Sequence, residues 1–341
     1  MKIAVVGATG LVGSIMLSEL ASGDFEIPVD EVVAMASEKS AGKRIWFGDE
    51  EIEVVPLTED TVPKVDIALF SAGAKVAKKF APIFAKKGAF VIDNSSAFRR
   101  EPDVPLVVPE INADTISENT KIIANPNCST IQLVMVLAPL RQFGIRSVFV
   151  ATYQAISGAG AKTLTQFLEE WEDMWDYTEG KSLVDLVRRH PYGGMKPPAF
   201  FTNVVPAIGS LSGYSEYTEE RKVRFETRKI LGIEDVHIAV TAVRVPVINA
   251  HSEAVLVEFE KSPCIADVIF KLGKAPGVEF VPDGITPADV SGKRGVFVGR
   301  VRRDPEDEHF VHFWIVADNL RKGAATNAVQ IAEYVYRKFL K

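Results

Sequence analysis

The stretch KIAVVGATGLVG constrains the fold more than any other part of the chain. Lys2 to Val6 form a short apolar run that predicts a buried strand, and a helical pattern of apolar residues follows the glycines. Gly7, Gly10 and Gly13 permit a tight turn and a close approach of backbone N–H groups to a pyrophosphate. A glycine triplet also occurs in turns that are merely tight, but its place between a strand and a helix favours a dinucleotide-binding unit.

The second predicted strand, EVVAMAS, indicates which dinucleotide would bind. It ends without the Asp or Glu that would hold the ribose hydroxyls of NAD. Ser37, Lys39 and Ser40 follow instead, opposed only by Glu38, and hydroxyl and ammonium groups suit a 2′-phosphate. We therefore expect NADP rather than NAD, with an ordinary solvated loop as the alternative.

Two more apolar strands, VDIALF and AFVID, each end in a small polar loop. The first loop contains Ser71, Ala72 and Gly73, and the second reads NSSAF. In an open parallel sheet, the loops at the carboxyl ends of the strands line the ligand crevice. The predicted strand at residues 122–124 ends at the same edge and leads to Cys128, so we expect the thiol to face the cofactor.

Cys128 lies in the turn between this strand and a helix, within the stretch NPNCSTIQLVMVL. With Asn127 as the N-cap, the thiol falls in the first helical turn, where exposed backbone N–H groups and the helix dipole favour a thiolate. Such a position suits a nucleophile. The alternative is a small buried hydrophobic residue, since free cysteine is among the most buried residue types.

The pattern changes at about Ile145 to longer alternating strands, which predict a second domain with a largely antiparallel sheet. Helices are expected at about Lys162 to Trp175 and at Thr218 to Leu231. The last helix, Gly323 to Phe339, has an apolar face that we expect to return to the nucleotide-binding domain. The predicted fold is α/β, with a Rossmann-like domain over residues 1–127, completed by residues 321–341, and an α+β domain over residues 128–320.

The composition limits the classes of partner. The 341 residues carry a formal net charge of −6, which gives no electrostatic footprint for nucleic acid or an anionic membrane surface. Two cysteines argue against a disulfide framework and favour a reducing compartment, for which the cytoplasm is the expectation. No apolar run approaches the ~18 residues of a spanning helix. No motif indicates a metal site.

A nucleophilic cysteine needs a base, since only a few per cent of an unperturbed thiol is ionised near neutral pH. His251 follows the break RVPVINA between two strands, which predicts a position at the mouth of a hairpin. Loops on a rigid sheet are where catalytic side chains concentrate, but the residues alone leave a base and an ordinary loop residue equally open.

Three cations are candidates for holding an anion: Arg99, Lys222 and Arg244. Arginine grips carboxylate or phosphate with two donors, whereas the alternative is a solvated charge. That alternative is strong for Lys222, because Glu219 lies three residues before it in the spacing of a surface pair. Gln154 ends a strand, where its amide could orient a carbonyl or have no role.

Eight motifs in order along the chain carry a resemblance to a known family. They are GATGLVG, SAGA, NSSAFR, NPNCST, QAISGAGAK, RVPV, HSEA and DNLRKGAATN. Together they resemble the aspartate-β-semialdehyde dehydrogenases, two-domain NADP enzymes of lysine, threonine and methionine synthesis. The resemblance implies NADPH-dependent reductive dephosphorylation of L-aspartyl-4-phosphate to L-aspartate 4-semialdehyde, which is reversible and proceeds through a cysteine thioester.

The resemblance also implies a role for each candidate residue. Cys128 would be the acylated nucleophile, Gln154 would orient the thioester, and His251 would act as acid and base. The substrate would be bound by Arg244 at its carboxylate, by Glu219 at its ammonium, and by Arg99 and Lys222 at its phosphate, with Asn127 nearby. The implied NADP site comprises Gly7, Thr9, Gly10, Leu11, Val12, Gly13, Ser37, Lys39, Ser40, Ser71, Ala72, Gly73, Ser157, Gly158 and Asn319. The second domain would form a homodimer or a dimer of dimers.

Two features depart from the family's pattern. Ala250 stands where the family often has a glycine before the histidine, and KPPAFFTNVVPAIG matches the corresponding loop loosely. Residues 177–200 are expected to form an extended loop with a short helix. The alternatives are N-acetyl-γ-glutamyl-phosphate reductase, a malonyl-coenzyme A reductase, and a non-catalytic NADP-binding sensor or scaffold.

Overall fold

The computed structural model describes residues 1–180, 182, 184, 199–213 and 215–341, so most of the expectation for residues 177–200 lies outside the described residues. Its first layer is a six-stranded sheet in the order β5-β2-β1-β6-β7-β8, in which every pairing is parallel. The strands in this part of the chain are β1 (Lys2–Val6), β2 (Glu31–Ala36), β3 (Arg44–Phe47), β4 (Glu50–Glu53), β5 (Val55–Pro56), β6 (Ile67–Phe70), β7 (Phe90–Asp93) and β8 (Ile122–Ala124). Strands β3 and β4 form a separate hairpin.

The helices of this first layer cover the sheet on both faces. They are α1 (Leu11–Ala21), α2 (Ala74–Lys86) and the short α3 (Pro109–Asn112). Strands β6 and β7 are buried along their whole length, and every residue in them except Asp93 is apolar, as expected for strands covered on both faces. Helix α1 begins directly after the glycine turn that follows β1. The strand, glycine loop and helix predicted from the sequence are thus confirmed.

The second layer is a six-stranded mixed sheet in the order β12-β9-β13-β16-β15-β14. Three of its five pairings are antiparallel, and β12 with β9 and β14 with β15 are parallel. The remaining strands are β9 (Ile145–Gln154), β10 (Leu211–Ser212), β11 (Glu216–Tyr217), β12 (His237–Arg244), β13 (His251–Phe259), β14 (Val278–Val281), β15 (Val296–Arg303) and β16 (Phe310–Ala317). The predicted hairpin between β12 and β13 is wrong, because β9 lies between these two strands and pairs with both.

Of the remaining helices in the described residues, the last packs on the first sheet, and the others belong to the part of the chain that forms the second sheet. These remaining helices are α4 (Cys128–Leu137), α5 (Ala161–Thr178), α6 (Thr218–Leu231), α7 (Ile265–Lys274), α8 (Pro287–Val290) and α9 (Thr326–Val335). Nine of the ten residues of α4 are buried, so this helix is an apolar core element with one polar end. Among the described residues, no helix is both long enough and apolar enough to cross a membrane.

The end of the chain returns to the first sheet, as the apolar face of the last helix predicted. Val329, Ala332 and Val335 of α9 share a buried cluster with Ile3 and Ile92 of the first sheet. The segment just before α9 is held by Lys322, which is 1% exposed and whose Nζ lies 2.8 Å from each oxygen of Glu110. A buried cation is tolerated only when it is paired in this way. The exact limits of the two domains stay a prediction.

One residue ahead of β13 has an unusual backbone conformation. Ala250 has a φ of +71° and is completely buried, and its N–H donates to Asn319 Oδ1 at 2.9 Å. A Cβ in the left-handed region clashes with the following carbonyl, so the backbone at this position favours glycine. The surrounding contacts therefore hold the chain in a strained turn that leads into His251.

We predict that Ala250→Gly raises the free energy of unfolding by roughly 0.5–1 kcal/mol, because relief of the left-handed strain exceeds the added entropy of a glycine in the unfolded chain. Denaturant unfolding measures this change. Ala254→Gly, in the middle of β13, is the matched control and should lower the free energy of unfolding by about 0.5–1 kcal/mol. A lower midpoint for Ala250→Gly at an unchanged slope would contradict the strain argument.

Candidate active site

The start of α4 fixes the position of the thiol. Strand β8 ends at Ala124, and Pro126 prevents its continuation. Asn127 then caps the helix, since its Oδ1 accepts the backbone N–H groups of Ser129 and Thr130 at 3.1 and 3.3 Å. Cys128 is the first helical residue and is half-buried. The prediction of a thiol in the first turn behind an Asn127 cap is confirmed.

The charge state of the thiol differs from our expectation. Burial and, to a smaller extent, the negative charge of Glu219 raise the pKa of Cys128 to about 12. The positive charges of Arg244 and Arg99 oppose the shift without overcoming it. The expected thiolate is therefore wrong for the ligand-free site, where desolvation outweighs the helix terminus and Cys128 is a neutral thiol near pH 7.

His251 begins β13 and is fully buried. Its Nδ1 lies 3.0 Å from the backbone nitrogen of Ala155, which can only donate, so the ring proton is on Nε2. Burial and, to a smaller extent, the positive charge of the neighbouring Arg244 lower the pKa of His251 to about 3, against the opposing charge of Glu219. The imidazole is thus neutral, and its buried Nε2–H has no hydrogen-bond partner among the described residues. This tautomer offers a donor, which suits an acid; the role of base stays a prediction.

Glu219 contacts two other predicted substrate-binding residues, Asn127 and Lys222, and the predicted catalytic residue Gln154. Its Oε1 accepts from Asn127 Nδ2 at 2.9 Å and from Gln154 Nε2 at 3.3 Å, and its Oε2 accepts from Lys222 Nζ at 2.9 Å. Burial alone would raise the pKa of Glu219, but Lys222, Asn127 and Arg244 together lower it to about 2. Glu219 is only 6% exposed and remains ionised, so the alternative of an exposed surface pair is wrong.

Arg244 and His251 pack against the same backbone position. A Cβ placed on Gly158 would lie 3.0 Å from Arg244 Nη1 and 2.9 Å from His251 Cε1, so only glycine fits between these side chains and the cleft. Arg244 Nη1 donates to the carbonyl of Ala155 at 2.7 Å. The same short segment therefore orients both side chains, through the N–H and the carbonyl of Ala155.

Arg99 is held by a carboxylate that the sequence analysis did not identify. Arg99 Nη1 donates to Glu226 Oε1 at 3.0 Å, and Nη2 donates to the carbonyl of Asn94 at 2.8 Å. Glu226 Oε2 accepts the backbone N–H of Asn127 at 2.6 Å. Glu226 lies seven residues after Glu219 on α6, which is two helical turns, so helical spacing was the available signal.

Two clefts meet beside the glycine turn. One of about 470 Å³ contains Cys128, Arg99, Asn127 and Lys222. The other, of about 600 Å³, contains Lys39. Of the predicted NADP-binding residues, the first cleft is lined by Gly10, Leu11, Val12, Ser71, Gly73, Ser157, Gly158 and Asn319, and the second by Gly7, Thr9, Gly10, Ser37, Lys39, Ser71 and Ala72. Gly10 and Ser71 line both, so the clefts form one groove that ends at Cys128.

The glycine turn fits a pyrophosphate. Gly7 has a φ of +89°, and a Cβ there would lie 2.5 Å from the carbonyl oxygen of Ser71. Gly10 caps α1 and has no side chain to accept the first backbone N–H groups of the helix. These N–H groups are therefore available to bind an anion. Gly13 is buried and lets α1 pack on Gly7, since a Cβ would lie 2.1 Å from the Gly7 oxygen. Neither Gly13 nor Ser40 lines the two clefts.

Comparison with known proteins agrees with this geometry. Residues 2–119 match the model of the semialdehyde dehydrogenase NAD binding domain, and residues 137–322 match that of the semialdehyde dehydrogenase dimerisation domain. The aspartate-semialdehyde dehydrogenase of Aquifex aeolicus is 44% identical over 99% of both chains. Aspartate semialdehyde dehydrogenase II of Vibrio cholerae, solved as a complex with ASA, is 39% identical with a TM-score of 0.90 over 99% of this chain and 98% of that one.

A more distant structure shares the same arrangement. The aspartate semialdehyde dehydrogenase of Candida albicans, solved with NADP, is 26% identical, with a TM-score of 0.73 over 98% of both chains. Matched family models cover most of the chain, and the Aquifex aeolicus relative is 44% identical over 99% of both chains. The chain described here therefore belongs to the aspartate-semialdehyde dehydrogenase family.

Proposed function

We propose that this protein is an aspartate-semialdehyde dehydrogenase, an oxidoreductase that forms L-aspartate 4-semialdehyde from L-aspartyl-4-phosphate with NADPH, and the reverse. The observation that carries the proposal is the place of Cys128 at the end of the dinucleotide groove, beside a buried carboxylate and two arginines. The full-length relatives support it, because they bear the name of this activity.

The charged groups match the substrate one by one. Arg244 is nine-tenths buried and would bind the α-carboxylate with two donors. Glu219 is ionised and would accept the α-ammonium. Arg99 and Lys222 both line the cleft with Cys128 and would bind the phosphate. A substrate with both charges and a phosphate would thus find an opposite charge at each position.

The chemistry requires a group that both adds to a carbonyl and leaves from a thioester, and sulfur does both. The sulfur of Cys128 would attack the acyl phosphate and the C–O bond to phosphate would break. The phosphate would leave with the thiol proton as hydrogen phosphate, and Cys128 would carry the acyl group. A bound nicotinamide supplies the hydride that reduces this thioester. His251 would donate its Nε2–H to the substrate oxygen, and Gln154 would help to orient the acyl group.

Within this proposal, NADP is the preferred dinucleotide. Ser37 and Lys39 line the groove directly after β2, whereas no carboxylate ends that strand to hold the ribose hydroxyls of NAD. Glu38 lies between them and opposes a phosphate. Two donors against one carboxylate favour the 2′-phosphate.

The buried Glu219 weighs against the nearest alternative activity. N-acetyl-γ-glutamyl phosphate carries an uncharged amide in place of the ammonium, so it would offer the ionised, 6% exposed Glu219 no cation beyond Lys222. A non-catalytic NADP sensor would have no use for Cys128 at the end of the groove. A malonyl group likewise carries no ammonium for the ionised Glu219 to bind.

We also propose that the protein is a homodimer in which the second sheet forms the contact between subunits. A second proposal is that the protein acts in the cytoplasm. The dimerisation-domain model covers this sheet, whose outer face carries large exposed side chains such as Phe149 and Tyr153, at 38% and 39% exposure. A hollow of about 550 Å³ lies on that face. Both cysteines are free thiols, which suits a reducing compartment.

The central test is Cys128→Ala. We expect it to abolish the phosphate-dependent formation of reduced nicotinamide from aspartate semialdehyde, while NADP binding by titration stays unchanged, because the thiol bonds to the substrate only. Assays with NADP and NAD in parallel measure the cofactor preference. Cys264→Ala is the control, since this second thiol is exposed, and it should retain full activity. Turnover surviving in Cys128→Ala would exclude the proposed reaction.

The raised pKa of Cys128 predicts slow, strongly pH-dependent alkylation of the ligand-free protein. In a Cys264→Ala background, the rate with iodoacetamide should rise about tenfold per pH unit from about pH 7 to 10 without reaching a plateau, because only the thiolate reacts. Intact-mass measurement of the alkylated fraction gives the rate. A plateau below about pH 9 would show that the thiolate is already formed in the ligand-free site.

Arg244→Lys tests the carboxylate site. We expect kcat/KM for aspartate semialdehyde to fall about 10- to 100-fold, because an ammonium cannot reproduce the two-pronged contact. The KM for phosphate should change little, since Arg99 and Lys222 are intact. Arg146→Lys, at an exposed position of β9, is the matched control and should leave both constants unchanged. Equal kinetics for Arg244→Lys and wild type would move the carboxylate site elsewhere.

A further inference from the structure

Glu226 is a buried carboxylate to which neither the sequence motifs nor the proposed reaction assigns a role. It is 1% exposed and lies on the face of α6 that also presents Glu219 and Lys222. Its two oxygens have different partners: the guanidinium of Arg99 at 3.0 Å and the backbone N–H of Asn127 at 2.6 Å. The carboxylate therefore bridges the cation proposed to hold phosphate and the peptide bond just before the nucleophile.

Each partner has limited freedom as a result. Arg99 uses Nη1 for Glu226 and Nη2 for the carbonyl of Asn94, which fixes the plane of the guanidinium in the cleft. Its buried Nε has no hydrogen-bond partner in the part of the chain that the structure describes. Asn127 is fixed at its backbone by Glu226 and at its side chain by Glu219, so α4 begins in a fixed place relative to Arg99.

The charge of Glu226 does not by itself favour phosphate. A carboxylate beside Arg99 cancels part of the positive charge that attracts an anion, so it lowers the affinity unless it contributes geometry. The main chain around Arg99 is also held without Glu226, because Lys229 Nζ donates to the carbonyls of Arg99, Glu101 and Val104 at 2.8–3.0 Å. What Glu226 adds is the orientation of the guanidinium and of the Asn127 peptide.

We propose that Glu226 is a positioning residue that holds Arg99 and the backbone of Asn127 at a fixed separation, so that the phosphate is bound where the sulfur of Cys128 can reach the adjoining acyl carbon. The inference rests on the proposed function, since it assigns the geometry of that same phosphate site. Glu226 does not touch the substrate; it acts through Arg99 and through the start of α4.

Glu226→Gln is the test, because the amide keeps the size of the side chain but has one acceptor for two donors. With aspartate semialdehyde and NADP, we expect the KM for phosphate to rise about tenfold, the cost of one hydrogen bond to a charged group. The KM for aspartate semialdehyde should stay within about twofold. A role in folding alone would lower the melting temperature and leave the phosphate KM unchanged, which would overturn the inference.

Glu220→Gln is the matched control. Glu220 is a buried carboxylate on the same helix, and its two oxygens accept the backbone N–H groups of Tyr217 and Ala242, away from the cleft. It should lower stability while leaving the phosphate KM unchanged. If Glu226→Gln does not fold, Glu226→Asp takes its place: it keeps the charge but is too short to reach both partners, and its phosphate KM should also rise.

A double mutant tests the route of the effect. In the Arg99→Ala background, adding Glu226→Gln should raise the phosphate KM by clearly less than the tenfold expected in the wild-type background, because only the route through Asn127 remains. Fully additive effects would overturn a route through Arg99. The wild-type protein separates the two proposals: without phosphate-dependent turnover the proposed function fails, whereas turnover in wild type with an unaltered phosphate KM in Glu226→Gln removes only this inference.

Discussion

The turn between β8 and α4 is the constraint on which the rest of the site depends. It connects the edge strand of the parallel sheet to the most buried helix of the second layer, and Pro126 and the Asn127 cap fix where one ends and the other begins. Because the carboxyl edge of the parallel sheet also carries the glycine turn, the thiol at the start of α4 lies where the dinucleotide groove ends. The N-terminus of α4 therefore fixes both the junction of the two sheets and the position of the thiol.

Around that terminus the electrostatics are set by burial as much as by charge. Cys128 is protonated and His251 is neutral in the ligand-free site, whereas Glu219 stays ionised because three cationic or amide groups surround it. Desolvation alone disfavours every charged form, so only a group with enough partners keeps its charge. In the ligand-free site, the thiol and the imidazole are therefore both neutral, while the carboxylate of Glu219 is charged.

The sequence predicted the elements whose signals are local. The glycine turn, the Asn127 cap and the limits of α6 all depend on residues within a few positions of each other, and the structure agrees with them. The hairpin between β12 and β13 was wrong because strand order is a long-range property, and β9 is inserted from a distant part of the chain. The charge state of Cys128 was wrong for the same reason, since burial depends on the whole fold.

Helix α6 carries a row of charged residues whose burial is not indicated by the sequence of the helix. Glu219, Lys222 and Glu226 recur at helical spacing, and such a row in isolation indicates a solvated face. In the folded protein the two carboxylates of this row are buried, because donors from Asn127, Gln154 and Arg99 satisfy their oxygens. Those donors come from three other segments of the chain. The sequence of α6 alone therefore does not indicate that its charged residues are part of a site. A charged row on an otherwise core-packed helix is therefore best interpreted together with the unpaired donors elsewhere in the chain.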